Sequence, residues 1–121
     1  MKHNTLIALY HNPRCSKSRE ALNLLREQGV EPEVILYLET PPNAKTLKSL
    51  LAQLGISARA LLRKSEDAYK ELGLADPTLS ETALINAMVE NPKLIERPIA
   101  IKDGKAVIGR PPENVLQLLT P

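Results

Sequence analysis

Phenylalanine and tryptophan are absent from this chain, and three tyrosines are its entire aromatic content. The interior must therefore be aliphatic, and the aromatic platforms on which single-stranded nucleic acids stack have almost no raw material. Cysteine occurs once. One thiol closes no internal disulfide, which removes the disulfide-stapled secreted scaffold, and it leaves no second sulfur for an autonomous dithiol reductase. Neither sign of charge dominates. Sixteen basic side chains face 14 acidic ones for a net charge of +2, too small to draw the whole chain to nucleic acid or to a membrane. Long apolar runs are missing as well. The opening Met1-Lys2-His3-Asn4 leads only into the short run Thr5–Tyr10, with no small-residue cleavage pattern, and nothing later approaches membrane-spanning length. These absences predict a cytoplasmic protein without a nucleic-acid or membrane partner.

What is present is globular: 43% of the 121 residues are hydrophobic and 25% charged, enough for one domain over residues 1–121 with a sizeable core. Thr5–Tyr10 reads as a strand and Ser16–Gln28 as a helix whose Ala21, Leu22 and Leu25 share a face before Gly29 stops it. Glu33–Leu38 reads as a second strand, parallel to the first across a βαβ unit. After Pro41-Pro42 a helical insert, about 43–92, begins with Leu47, Leu50, Leu51 and Leu54 on one face and Gly55 as its stop. Ser57–Arg63 and Ala68–Leu72 read as short helices. Thr78-Leu79-Ser80-Glu81 reads as a capping box for a helix carrying Leu84, Ile85, Met88 and Val89 as far as Asn91-Pro92. Ile99-Ala100-Ile101 and Ala106-Val107-Ile108 flank Asp103-Gly104 as a tight hairpin. Pro111-Pro112-Glu113 then opens a final helix with Val115, Leu116 and Leu119. The order βαβ, helical insert, ββα predicts an α/β protein with a thioredoxin-like mixed sheet, the insert lying between strands 2 and 3. That fold characteristically places a cis proline before its third strand, so Arg97-Pro98 is predicted cis.

Cys15 sits where the first strand gives way, through His11-Asn12-Pro13-Arg14, to the helix beginning near Ser16. A solitary cysteine usually packs as a small hydrophobe. This one stands at the carboxyl edge of a sheet, where open α/β folds place their sites, and at a helix N-terminus, where unpaired amides and the helix dipole favour a thiolate. Arg14, Lys17 and Arg19 crowd the same first turn, and no acidic residue answers them before Glu20. Cations at the positive end of a dipole weaken a helix unless an anion occupies it: the thiolate, a substrate, or both. Ser18 stands where a Cys-x-x-Cys protein keeps its resolving thiol, so any adduct at Cys15 must be cleared by an external thiol. A Cys-x5-Arg phosphatase loop needs arginine where Ala21 stands. Ser18 either donates to the sulfur or caps the first turn. Arg19 is expected to pair with a carboxylate, and Asn12 to tie down the loop through its own side chain. No metal or organic cofactor is implied.

Five blocks of sequence carry a family likeness: Tyr10-His11-Asn12-Pro13-Arg14-Cys15 with Ser18-Arg19, Leu36-Tyr37-Leu38-Glu39, Ala60-Leu61-Leu62-Arg63-Lys64, Arg97-Pro98-Ile99, and Gly109-Arg110-Pro111. In these the chain resembles the glutaredoxin-coupled arsenate reductases, thioredoxin-fold enzymes of arsenical resistance, over residues 5–119. The resemblance implies that Cys15 is the nucleophile, that His11 favours its thiolate, and that Arg63, Arg97 and Arg110 surround the oxyanion. It further implies arsenate as substrate, glutathione as co-substrate and glutaredoxin as partner. Guanidinium groups suit that substrate, because their fixed forks of donors match tetrahedral oxygens better than the point charge of lysine. Ser16-Lys17-Ser18-Arg19-Glu20 stands where the well-known enzymes carry Gly-Thr-Ser-Arg-Asn.

Two other readings use the same residues. A thiol-transfer enzyme acting on glutathione mixed disulfides would grip glutathione carboxylates with these arginines. A redox-responsive regulator that binds RNA polymerase shares the fold, but such regulators typically carry Cys-x-x-Cys where this chain has Ser18, and generally lack the arginine found here at Arg110.

Overall fold

A computed structural model describes residues 7–119 of the chain. Thr5 and Leu6, with which the first expected strand begins, lie outside the described residues. Strand β1 (Ala8–Tyr10) leads through the cysteine loop into helix α1 (Ser16–Glu27) and strand β2 (Glu33–Ile35). β1 and β2 pair in parallel, Ala8 with Glu33 through Tyr10 with Ile35. Strands β3 (Ile99–Lys102) and β4 (Lys105–Ile108) pair antiparallel, and β3 lies antiparallel to β1, giving the order β2-β1-β3-β4. This is the α/β mixed sheet of a thioredoxin-like fold. The turn between β3 and β4 places Asp103 at φ 52° and Gly104 at φ 76°, the pair of left-handed positions that a two-residue hairpin with Asp-Gly adopts.

β2 is shorter than the expected strand Glu33–Leu38. Among the described residues it is an edge strand paired with β1 alone, and β1 ends at Tyr10, so no ladder remains for Leu36 onward. The chain curls instead, with Tyr37 N–H donating to the Ile35 carbonyl at 3.0 Å and the buried Tyr37 ring 6.1 Å from that of Tyr10.

The closing segment Pro112–Leu119 is a 3-10 helix, not the expected α-helix. Its buried residues are Pro112, Val115 and Leu118, a spacing of three that lines up on one face only when there are three residues per turn. Val115 and Leu118 join Ile7, Leu9, Ala21, Leu25 and Ala100 in one buried cluster. Each large aliphatic side chain buried there contributes about 1.5–3 kcal/mol. The cluster clamps α1 to the sheet and so sets the position of that helix's N-terminus.

Two compact units divide the chain: the described residues up to Tyr37 together with those from Arg97 onward, and the segment Leu38–Glu96, which contains the expected insert. In the second unit, helices α2 (Ala44–Leu54), α3 (Ala58–Leu61), α4 (Asp67–Glu71) and α5 (Glu81–Glu90) follow one another before a short 3-10 turn, Pro92–Leu94. α5 packs against α2 and α3, burying Leu84, Ile85 and Met88. The N-cap of α5 is Ser80, whose hydroxyl accepts from Ala83 N–H at 3.1 Å, and not Thr78 as the capping box implied. Thr78 turns to Asp76 Oδ1, and Glu81 accepts from Ala58 N–H at 2.7 Å, a partner 23 residues away that local sequence does not reveal. No helix of the described residues is long and apolar enough to cross a membrane.

Candidate active site

Cys15 is the N-cap residue of α1, with extended backbone at φ −94° and ψ 122°. The loop that delivers it is a turn closed by Cys15 N–H donating to the Asn12 carbonyl at 2.9 Å. Asn12 Oδ1 accepts from Arg14 N–H at 3.0 Å, the side-chain turn expected of an asparagine before proline. Arg19 does not take a carboxylate as expected. Its Nη1 donates to the Pro13 carbonyl at 2.8 Å, which ties the far side of the loop to the helix, while Glu20 is left to a loose 3.9 Å pair with Lys17.

Ser18 takes neither of its two expected roles with its hydroxyl. The Oγ atom accepts from Asn12 N–H at 3.0 Å and shares a 2.6 Å hydrogen bond with His11 Nδ1. Its main-chain N–H faces the sulfur. The clue was legible: Ser18, Ala21 and Leu25 are the buried positions of α1, so Ser18 is a polar residue on an apolar stripe and needs a buried partner. Which partner it finds depends on where the loop folds back.

His11 is buried, at 5% exposure. Burial, followed by the positive charges of Arg26 and Arg19, lowers its pKa, which favours the neutral ring. Its hydrogen bond goes to Ser18, and its connection to Cys15 runs through that residue.

The thiol is half-buried. Burial pushes its pKa up, but the amides of Ser18 and Lys17, the charge of Arg110 and a hydrogen bond from Arg97 together outweigh burial, and the net shift is downward. No side-chain capping hydrogen bond of full geometry joins the sulfur to the first turn. The nearby amides favour the thiolate because its negative charge strengthens their interaction with the sulfur.

Two arginines from the end of the sheet converge on this sulfur. Arg97, only 7% exposed, precedes the buried Pro98, and the Arg97-Pro98 bond is cis as predicted. Arg110 follows β4, and its bond to Pro111 is also cis, which the sequence did not suggest. Arg110 Nη2 stands 3.6 Å from Cys15 Sγ, and its Nε donates to the Arg97 carbonyl at 2.8 Å. Between them lies Gly109, whose N–H donates to the Pro98 carbonyl at 2.8 Å. A Cβ at residue 109 would meet Pro98 Cγ at 2.7 Å and Val115 Cγ1 at 3.0 Å, so the close approach of the β4 end to Pro98 requires glycine.

Arg63 belongs to the second unit. Its Nε donates to Glu66 at 3.1 Å, its Nη1 to Glu96 at 3.2 Å, and its N–H to the Leu94 carbonyl at 2.7 Å. The first unit thus brings together Cys15, Arg97 and Arg110 around the sulfur and His11, Asn12, Ser18 and Arg19 around the loop. Among the described residues no three His, Cys, Asp or Glu side chains gather as metal ligands.

Residues 10–118 match the sequence model of the ArsC family. The chain belongs to the ArsC family. It is 68% identical over 114 residues to YfgD, an uncharacterized protein of Escherichia coli strain K12, the match spanning 93% of this chain and 96% of that one. It is 51% identical over 114 residues to an arsenate reductase of Neisseria meningitidis, spanning 93% and 97% of the two chains. Among solved structures, an arsenate reductase from Vibrio cholerae superposes with a TM-score of 0.93 at 54% identity, over 96% of this chain and 99% of that one. The ArsC match runs from Tyr10 to Leu118 and so contains the whole cysteine loop and both arginines that converge on the sulfur.

Proposed function

We propose that this ArsC-family protein is a cytoplasmic arsenate reductase, with Cys15 as nucleophile and with glutathione and glutaredoxin as the source of reducing thiols. The observation that carries this reading is the placement of Arg110 Nη2 3.6 Å from Cys15 Sγ, with Arg97 on the same sulfur. A nucleophile and two guanidinium groups at one point suit an electrophile that is also an anion. The names of the relatives in Neisseria meningitidis and Vibrio cholerae support arsenate as that anion.

In the proposed reaction Arg97 and Arg110 hold arsenate oxygens by charge-assisted hydrogen bonds and offset the charge that would otherwise repel the thiolate. The Cys15 thiolate attacks arsenic(V), and one hydroxyl group takes a proton and leaves as water. Glutathione thiolate then attacks the Cys15 sulfur. The sulfur–arsenic bond breaks with its electron pair going to arsenic, arsenite departs, and a mixed disulfide remains for glutaredoxin to reduce. In sum, arsenate and two thiols become arsenite, one disulfide and one water. The lone cysteine supports this division of labour, since the chain holds no second thiol to close the cycle itself. The assignment of Arg63 to the same oxyanion rests on the resemblance alone.

Coupled NADPH oxidation with glutathione, glutathione reductase and glutaredoxin tests substrate and electron donor together. Oxidation that requires arsenate, glutaredoxin and intact Cys15 is expected. A wild-type protein that gives no arsenate-dependent oxidation overturns the reading. The thiol-transfer alternative is separated by competition: arsenate protecting Cys15 from alkylation supports the oxyanion site, and protection by oxidised glutathione alone supports thiol transfer.

A further inference from the structure

The proposed reaction leaves unused two cations at the start of α1, Arg14 just before its N-cap and Lys17 in its first turn. Arg14 and Lys17 bracket Cys15, both exposed, at the positive end of a helix with no acidic residue in its first turn. Arg14 makes no ion pair among the described residues, and Lys17 reaches only Glu20, at 3.9 Å with both side chains about half exposed. Pairs of that kind are worth little and are screened by salt. A cation in a first turn costs helix stability, and Lys17 recovers little of that cost from its loose pair with Glu20. Arg110 supplies the charge that lowers the Cys15 pKa, and residue 17 contributes through its amide. The Arg14 and Lys17 side chains are both open to solvent.

What must arrive at this rim is fixed by the single cysteine. A thiol borne by another molecule has to reach the half-buried sulfur, and the residues exposed on either side of it in the chain are Pro13, Arg14, Ser16 and Lys17. These exposed residues flank Cys15 in the chain, where a macromolecule bringing a thiol to the sulfur would meet them. We propose that Arg14 and Lys17 are the docking contacts for a protein thiol reductant whose thiol is flanked by acidic side chains. This rests on the reading that Cys15 is regenerated from outside, and it names the kind of partner that does so. Opposite charges across the two rims speed productive encounter and orient the two sulfurs, an effect that weakens as salt rises.

The test avoids arsenate. Cys15 is converted to its mixed disulfide with thionitrobenzoate, and release of the yellow thiol is timed with three reductants: a glutaredoxin with acidic residues around its dithiol, glutathione, and uncharged dithiothreitol. With the glutaredoxin, its two thiols become one disulfide while the mixed disulfide yields Cys15 thiol and free thionitrobenzoate. Arg14→Glu and Lys17→Glu, alone and combined, change only side chains and keep the main-chain amides. The combined variant is expected to slow the glutaredoxin at least about 10-fold at low ionic strength and to abolish the steep salt dependence seen with the wild type. Dithiothreitol should react alike with both proteins. An equal loss with glutathione overturns the proposal in favour of a small anionic thiol, and an unchanged glutaredoxin rate overturns docking at this rim altogether. A slower dithiothreitol reaction also counts against it, by tracing the effect to the thiol itself. Because no step involves arsenate, failure here is distinct from failure of the arsenate assay.

Discussion

Arg110 is tied to Arg97: its Nε donates to the Arg97 carbonyl at 2.8 Å while its Nη2 stands 3.6 Å from Cys15 Sγ. One planar group thus sets the spacing between a residue before β3, a residue after β4 and the sulfur at the start of α1. Lysine cannot do this, since its single ammonium head does not present separate donors in two fixed directions. Arg110→Lys is expected to retain the charge near Cys15 but to lose arsenate kcat/KM, as will Arg97→Ala. Each change should cost about 1.5–3 kcal/mol, the value of a charge-assisted hydrogen bond, or about 10- to 150-fold. Steady-state kinetics that leave Arg110→Lys at wild-type efficiency would show that charge alone suffices.

Cys15 should react as a thiolate below the ordinary range. Iodoacetamide alkylation across pH is expected to inflect below the usual thiol value of about 8.5. Because the folded state lowers this pKa, ionisation stabilises the fold. That contribution is complete above the unfolded-state value and is lost as pH falls through the folded one. The unfolding free energy of wild type relative to Cys15→Ser should therefore rise with pH in that window, and Cys15→Ser should have no reductase turnover. A difference that is flat with pH would mean that the turn does not activate the thiol.

Ser18→Ala removes the group that satisfies both His11 Nδ1 and Asn12 N–H. Two buried polar groups lose their partner, so a destabilisation of about 1–3 kcal/mol in urea unfolding is expected. The cysteine loop should loosen with it, and alkylation of Cys15 should lose part of its low-pH reactivity. His11 adds an acid limit of its own. With its folded pKa below the usual 6.5, the unfolded chain binds the proton more readily, and stability falls as pH drops through that value. His11→Gln should flatten the profile below pH 6.5 if this assignment is right, and an unaltered slope would place the acid sensitivity elsewhere.

Gly109→Ala drives a methyl group against Pro98 Cγ and Val115 Cγ1. Neither neighbour has room to withdraw, since Pro98 and Val115 are fully buried. Overpacking of this kind costs about 1–3 kcal/mol. It also separates Arg97 from Arg110, so arsenate kcat/KM should drop while the alkylation rate of Cys15, a measure of the thiol alone, changes less. A variant with wild-type melting temperature would mean that the β4 end moves aside freely.

Arg63→Ala tests the one proposed oxyanion residue that lies in the second unit. A loss of about 10-fold or more in arsenate kcat/KM is expected from removal of a charged donor. If only thermal stability changes, Arg63 serves Glu66 and Glu96, its observed partners, and not the substrate.

Much of this arrangement was legible in the amino-acid order because its causes are local. The apolar spacing of α1 and α2, the Asp-Gly turn of the β3-β4 hairpin and the stops at Gly29 and Gly55 depend on neighbours within a few residues. So does the placement of Cys15 as an N-cap, which follows from one strand ending and one helix beginning. Misreadings occurred where an interaction from far along the chain competed with the local one. Glu81 left a capping box for Ala58, and Arg19 chose the Pro13 carbonyl over a carboxylate. The closing segment wound as a 3-10 helix to bury Val115 and Leu118 together.

By itself, then, the order of residues determined the element sequence, a core that is aliphatic apart from Tyr10 and Tyr37, the solitary thiol at a strand-to-helix turn and the need for an external second thiol. Only the tertiary structure decided that Ser18 holds His11 and Asn12, that His11 is buried, and that Arg97 and Arg110 share the sulfur while Arg63 is held by two carboxylates. The physical reason is distance along the chain. Residues 15 and 110 meet across a separation of 95 positions because the sheet and the buried cluster beneath it bring them together, and packing of that kind leaves no periodic trace in either segment alone.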